Sequence, residues 1–215
     1  IKIALAFPDT YSIGMSHLGI QILYGLLNER KDTACERVFA PLDDMEALMR
    51  KHKIPLFSLE TYTPLKEFDI IGFSLQYELS YTNILNMIDL AEIPVMASER
   101  GETEPLVIAG GPTAISPEPL ADFIDLFLIG DGEESLPHLV ELWKEMNQKK
   151  LSRKEKIVSL AQTLKNAYAP SLYEVMYHQD NTIQEIRPRI SGLPSPIRSA
   201  SVRDLNKTYF PTKPI

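Results

Sequence analysis

The sequence predicts an α/β fold: a doubly wound, mainly parallel five-stranded sheet, followed by a C-terminal helix, a β-hairpin and an extended linker. Three observations predict it. Over the first 150 residues, short runs that are apolar at nearly every position alternate with stretches of helical periodicity. Each apolar run is bounded by Gly, Pro or Asp, so it is too short for a helix and reads as a parallel strand covered on both faces. The alternation stops after Gln148, where charge and then hairpin signals take over.

The strands are expected at residues 3–7, 35–40, 70–75, 106–109 and 126–129. The first connecting segment, 16–29, carries Leu18, Ile22, Leu23, Leu26 and Leu27 at helical spacing. Met45, Leu48 and Met49 follow Asp43 and Asp44 in the second, and Ile84, Leu85 and Ile88 follow Ser80 in the third. Leu136, Leu139, Val140, Trp143 and Met146 make a fourth apolar stripe. Segment 54–60 reads equally as a short edge strand or a connector. Right-handed crossovers between such strands predict the order 2-1-3-4-5, with a crevice between the first and third.

The organisation beyond the sheet follows from composition. Residues 1–150 form the α/β domain and 151–190 an appendage, in which Ile157, Leu160, Ala161 and Leu164 predict a helix ending near Tyr168. Segments 171–178 and 182–187 flank Gln179-Asp180-Asn181 and predict a β-hairpin. Residues 191–215 read as a linker: from Pro188 onward there are five prolines, and Arg189, Arg198, Arg203, Lys207 and Lys213 face only Asp204.

Composition narrows the function. The 215 residues suffice for one good-sized domain plus an appendage, and 44% apolar content is ordinary for a globular chain. The net charge of −7 argues against a general nucleic-acid grip. No run is long enough to span a membrane. One cysteine, Cys35, excludes an internal disulfide framework and a multi-cysteine metal site within this chain, and a reducing cytoplasm is expected. The chain opens in a strand without a methionine, so a trimmed N-terminus is expected.

Candidate chemistry gathers at the C-terminal ends of the strands, the edge where open α/β sheets bind ligands. The first corner is Asp9-Thr10-Tyr11-Ser12-Ile13-Gly14, where Gly14 permits a tight turn and Asp9 accepts hydrogen bonds. It reads either as a ligand loop or as a capped strand–helix turn. The second is Gly72-Phe73-Ser74-Leu75-Gln76, with a small hydroxyl at a strand end. The third is Ala109-Gly110-Gly111-Pro112, where paired glycines either let a bulky group approach the backbone or simply turn the chain. The fourth, Gly130-Asp131-Gly132-Glu133-Glu134, reads first as a capped helix start favoured by the helix dipole, with Gly130, Gly132 and Glu133 as ligand-facing candidates. It is not a phosphate loop. His17 lies near the first corner, whereas His52, His138 and His178 have no partner at metal-ligand spacing. No nucleophile elbow or Ser/His/Asp set is visible.

Taken in order, the acid-aromatic-Gly loop, the Ser74 strand end and the Gly110-Gly111 pair resemble the three-part signature of cobalamin-binding domains, a Rossmann-like or flavodoxin-like fold. The longer strings are more specific. Phe39-Ala40-Pro41, Gly72 through Asn83, Ala109 through Pro112 and Ile129 through Glu134 resemble the N-terminal region of cobalamin-binding-type radical SAM proteins. The closing Phe210-Pro211-Thr212-Lys213-Pro214-Ile215 resembles the linker into that family's radical SAM barrel.

The resemblance implies a corrinoid whose lower face meets Asp9, Tyr11 and Gly14, and whose nucleotide tail lies along Ser74, Leu75, Gln76, Gly110 and Gly111. It also implies a partner, the protein's own C-terminal barrel, holding a [4Fe–4S] cluster and S-adenosylmethionine. Two departures limit it. With Cys35 alone this chain cannot build the three-cysteine cluster, so the catalytic half is expected beyond residue 215. Tyr11 stands where the family's axial histidine would stand, and a phenol with a pKa near ~10 is a poor cobalt ligand. A base-off corrinoid without a protein nitrogen on cobalt is therefore expected. The competing expectation is a sheet that kept the fold and lost the cofactor, serving in docking or substrate recognition. A flavin or phosphoacceptor module fits less well, since the acidic pair and lysine that phosphoacceptors use are missing.

Overall fold

A computed structural model describes residues 1–212; of the segment 191–215 read as a linker, Lys213, Pro214 and Ile215 lie outside the described residues. The element order begins β1 (Lys2–Phe7), α1 (Tyr11–Gly14), α2 (Leu18–Asn28), β2 (Ala34–Phe39), α3 (Asp43–His52), β3 (Ile70–Ser74), α4 (Tyr81–Leu90) and β4 (Leu106–Gly110). It continues with β5 (Leu126–Leu128), α5 (Gly132–Gln148), α6 (Arg153–Thr163), β6 (Ala167–Tyr168), β7 (Tyr173–Tyr177) and β8 (Ile183–Pro188).

The sheet order is β2-β1-β3-β4-β5-β6, and the first five strands are parallel. The expected order therefore holds. The central strands are buried along both faces, as their unbroken apolar runs require, while edge strand β2 is only partly covered. Helices α2 and α5 pack together over one face. On the other, α3 and α4 are tied by Arg50 to Asp89 at 2.9 Å and by Asn86 to Glu46 at 2.7 Å. α3 is polarised as the helix dipole favours, with Asp43, Asp44 and Glu46 in its first turn and Arg50, Lys51 and His52 in its last.

Among the described residues the structure corrects the expectation in three places and settles one alternative. The sheet has six strands, not five. The extra one, β6, pairs antiparallel with β5 through Phe127–Tyr168 and Leu128–Ala167. The sequence reading ran the helix on to Tyr168, but α6 stops at Thr163 because Asn166, Ala167 and Tyr168 are drawn into the sheet edge. The first helix is two pieces: a single turn, α1, lies inside loop 9–14, and α2 starts only at Leu18. His17 is thus the N-cap of α2, its Nδ1 accepting the Ile20 N–H at 3.3 Å. Segment 54–60 is a connector, closed by one antiparallel bridge between Phe57 and Pro64.

Helix α6 is fastened to the sheet through a buried ion cluster. Asp125, just before β5, accepts from Arg100 at 3.0 Å, from Arg153 of α6 at 2.7 Å and from the Val107 N–H at 2.8 Å. α6 itself starts on a capping box formed by Ser152 and Glu155. Among the described residues no helix is long and apolar enough to cross a membrane.

Candidate functional site

Strand register decides where space is left. Gly72 lies opposite Leu5 and Ile108, Ser74 opposite Gly110, and Gly110 opposite Leu128. Paired residues in a parallel ladder and alternate residues along a strand share a face, so all six point to the α2–α5 side. Three of them are Gly or Ser. Ile20 and Leu23 of α2 and Leu136 of α5 cannot close down on so little side chain, and a cavity of 490 Å³ remains. That size is within the range of small-molecule sites, roughly 300–1,000 Å³. It opens at the C-terminal ends of the strands.

The apolar floor is joined by a few polar groups. Gln76 Nε2 donates to Ser74 Oγ at 2.6 Å, and His17, Asp131, Glu133 and Ser199 stand around the opening. Glu133 and Glu134 occupy the first turn of α5, where the dipole favours them.

Of the residues singled out from the sequence, Ser74, Gln76, Gly110, Gly111, Gly130, Gly132 and Glu133 line this cavity. Leu75 does not. It is fully buried, donating its N–H to the Gly110 carbonyl at 2.7 Å. Gly111 adopts φ +114°, and a Cβ there would stand 2.7 Å from the Leu75 carbonyl oxygen. Leu75 is thus clasped between the ends of β3 and β4, its N–H on the Gly110 carbonyl and its carbonyl accepting the Thr113 N–H at 3.3 Å, with the bare Gly111 backbone packed against it.

Loop 9–14 lies beside the cavity. Asp9 accepts the Thr10 N–H at 2.7 Å and the Tyr77 hydroxyl at 3.1 Å. That contact, with the carboxylate's charge, raises the pKa of the Tyr77 phenol. Gly14 is packed under Phe39 and Phe7, whose rings a Cβ would meet at 2.6 and 2.7 Å. Tyr11 stacks edge-on against Phe39, centroids 5.3 Å apart, on the rim of a second, apolar cavity of 390 Å³ walled by Met45, Met49, Leu56 and Phe57.

Tyr77, Asp131 and Ser199 were not singled out from the sequence. Tyr77 carried a signal, since it belongs to the string Gly72 through Asn83; Ser199 carried none, because its place depends on the return of the tail. Cys35 is buried in β2, and burial, reinforced by Glu60 and Glu36, pushes its thiol pKa up.

Residues 19–170 match the family described as radical SAM proteins, N-terminal. The chain belongs to that family. The matched span runs from the start of α2 to the end of β6 and includes every residue named above as lining this cavity except Leu5, His17 and Ser199. Loop 9–14 lies before it. The chain is also similar to the uncharacterized protein MJ0966 of Methanocaldococcus jannaschii, 27% identical over 136 residues. That similarity covers 62% of this chain and 24% of the relative, so it spans about a quarter of the relative's length. The chain brings to this family an α/β sheet with an open crevice at its strand ends and a single, buried cysteine.

Proposed function

We propose that this chain is the corrinoid-binding part of a radical SAM enzyme. The observation that carries the reading is the hollow that Gly72, Ser74 and Gly110 leave beneath α2 and α5 at the C-terminal end of the sheet. A flat heterocycle and its ribose fit an apolar slot of this size with hydroxyl and amide groups at one end. Ser74 and Gln76 offer hydrogen bonds to such a tail, while Gly111, packed against the Leu75 backbone, keeps its part of the wall free of side chain.

The macrocycle would lie over the strand ends, above Asp9, Gly14 and Tyr77. Here the residues predict a particular coordination. Tyr11 carries a phenol in place of imidazole and is turned onto Phe39, and His17 is committed at Nδ1 to capping α2. No protein nitrogen is expected on cobalt. When bound, a corrinoid supplies a group carried on its metal, such as methyl, for transfer. Asp9 and Tyr77, joined by their hydrogen bond, would hold such a group from below.

The partner in this reading is the protein's own C-terminal barrel, with its [4Fe–4S] cluster and S-adenosylmethionine. Four consecutive strand-end loops each expose an apolar side chain at the same edge: Ile13, Leu42, Leu79 (85% exposed) and Ile115 (74% exposed). Such a rim around a crevice suits a second domain closing over it. The same rim favours the second reading, a cofactor-free docking module.

Hydroxocobalamin retention separates the two. The chain is mixed with hydroxocobalamin and desalted, and the visible spectrum is recorded. Near one equivalent should remain, and Ser74→Leu, which fills the slot, should abolish it. Clean separation well above micromolar protein would overturn the cofactor reading in favour of docking. In the reduced cobalt state, superhyperfine coupling to a protein imidazole would overturn the coordination argued here.

A further inference from the structure

Residues 198–202 run back across the opening of the cavity and pair with its rim. The Ala200 N–H donates to the Ile129 carbonyl at 2.9 Å, and the Asp131 N–H donates to the Ala200 carbonyl at 3.1 Å. Together they set Ala200 in a parallel bridge with Gly130. The Val202 N–H donates to Asp131 Oδ2 at 2.8 Å, and Ser199 forms part of the cavity wall. Gly130 makes the seat possible. It sits at φ +92°, and a Cβ would run into the backbone of Ala200 and the hydroxyl of Ser199. The tail has further anchors in the Arg198 N–H on the Lys165 carbonyl at 3.3 Å and, beyond the strap, in the Tyr209 ring laid on Gly25 of α2.

Asp131 links this strap to the helix. It is the N-cap of α5, yet its side chain makes no capping bond, because its carboxylate holds Val202 instead. An uncapped helix start offers free N–H groups within reach of the same carboxylate. Releasing the strap therefore gives Asp131 a second set of donors. One carboxylate with two alternative partners makes a two-state element that a bound group can bias.

We propose that residues 198–202 are a latch that shuts the cavity over its occupant, with Asp131 as the catch. The proposal rests on reading the cavity as a ligand site. With the latch shut the cavity remains, and Ser199 contributes to its wall, so an occupant and a closed latch are compatible. Each then holds the other in place, and release must wait for the bonds that tie the strap to Ile129 and Asp131 to break.

The test reads access to the cavity floor directly. Ser74→Cys places a thiol there, and the only other thiol, Cys35, is buried. Its reaction with 5,5′-dithiobis(2-nitrobenzoic acid) is timed with and without Val202→Pro, which removes the N–H that Asp131 accepts. Asp131→Ala, which removes the acceptor instead, guards against misfolding in the proline variant. Both should speed labelling at least tenfold, with far-UV circular dichroism unchanged. Equal rates in all three proteins would overturn the latch, whatever the cavity binds. Hydroxocobalamin release, followed in a chain with Ser74 intact, should accelerate by a similar factor in Val202→Pro. Unchanged release would also overturn the latch as a retaining device. Faster labelling in a protein that retains no hydroxocobalamin would support the latch and defeat the corrinoid reading.

Discussion

The phenol of Tyr77 donates to the Asp9 carboxylate across 3.1 Å, joining the loop after β3 to the loop after β1 at the mouth of the crevice. The carboxylate favours the protonated phenol, first through the hydrogen bond and then through its charge. Asp9→Asn should therefore lower the Tyr77 pKa towards the ordinary value near ~10. An ultraviolet difference titration against Tyr77→Phe isolates this one phenol. An unmoved titration in Asp9→Asn would show that the contact does not persist in solution.

That pair also shows what was legible in the sequence. Asp9 stood out because it follows an apolar strand and precedes a glycine turn, both local signals. Its partner lies 68 positions along the chain, and only the β1–β3 pairing brings them together. Local periodicity was likewise enough for β1 to β5 and for their order. It failed at β6, where two residues are a strand only because β5 offers them an edge. The cavity was legible in part: the small residues were visible, but Leu75 holds backbone geometry between two strand ends and does not face the hollow. The strap was not legible, since a segment rich in Pro and Arg gives no sign of the rim it returns to.

Asp125 should be the most costly polar residue to remove. Its carboxylate neutralises Arg100 and Arg153, both buried, and burial already pulls the Arg100 pKa below its usual value. Asp125→Ala would leave two guanidinium groups without their counterion and the Val107 N–H without an acceptor. A loss of about 3–5 kcal/mol is expected. Urea denaturation gives the value, and a midpoint close to that of the unsubstituted protein would refute it.

Asp32 sets an acid-sensitive contact between the start of β2 and helix α5. Lys144 Nζ reaches its carboxylate at 2.7 Å and Arg30 Nε at 3.3 Å. The Lys144 hydrogen bond is the chief cause of a pKa lowered to about 2. A carboxylate depressed in the folded state binds its proton more readily when unfolded. Its contribution is complete above the unfolded value near ~3.9 and disappears as pH falls towards 2. Lys144→Met should raise the Asp32 pKa and move acid unfolding to higher pH. Carboxyl NMR titration and circular dichroism follow the two effects, and an unchanged Asp32 midpoint would count against the ion pair.

Glycines 72 and 111 should respond oppositely to the same substitution, although both line one cavity. At Gly111 the φ of +114° is strained for any L side chain, and the added Cβ meets the Leu75 carbonyl oxygen at 2.7 Å. Backbone on both sides leaves nothing to swing away. Gly111→Ala should cost at least about 2 kcal/mol of stability. At Gly72 the backbone is ordinary strand, and the nearest atoms to a Cβ are side-chain carbons, a Leu5 methyl at 3.4 Å and the Ile108 Cγ1 methylene at 3.6 Å. Gly72→Ala should change stability by no more than about 1 kcal/mol, since it exchanges a poor strand residue for one in normal contact. Its methyl group stands in the hollow, so hydroxocobalamin retention should fall while the urea midpoint barely moves. A larger stability loss at Gly72 than at Gly111 would mean that the wall of the cavity had been assigned to the wrong face of the sheet.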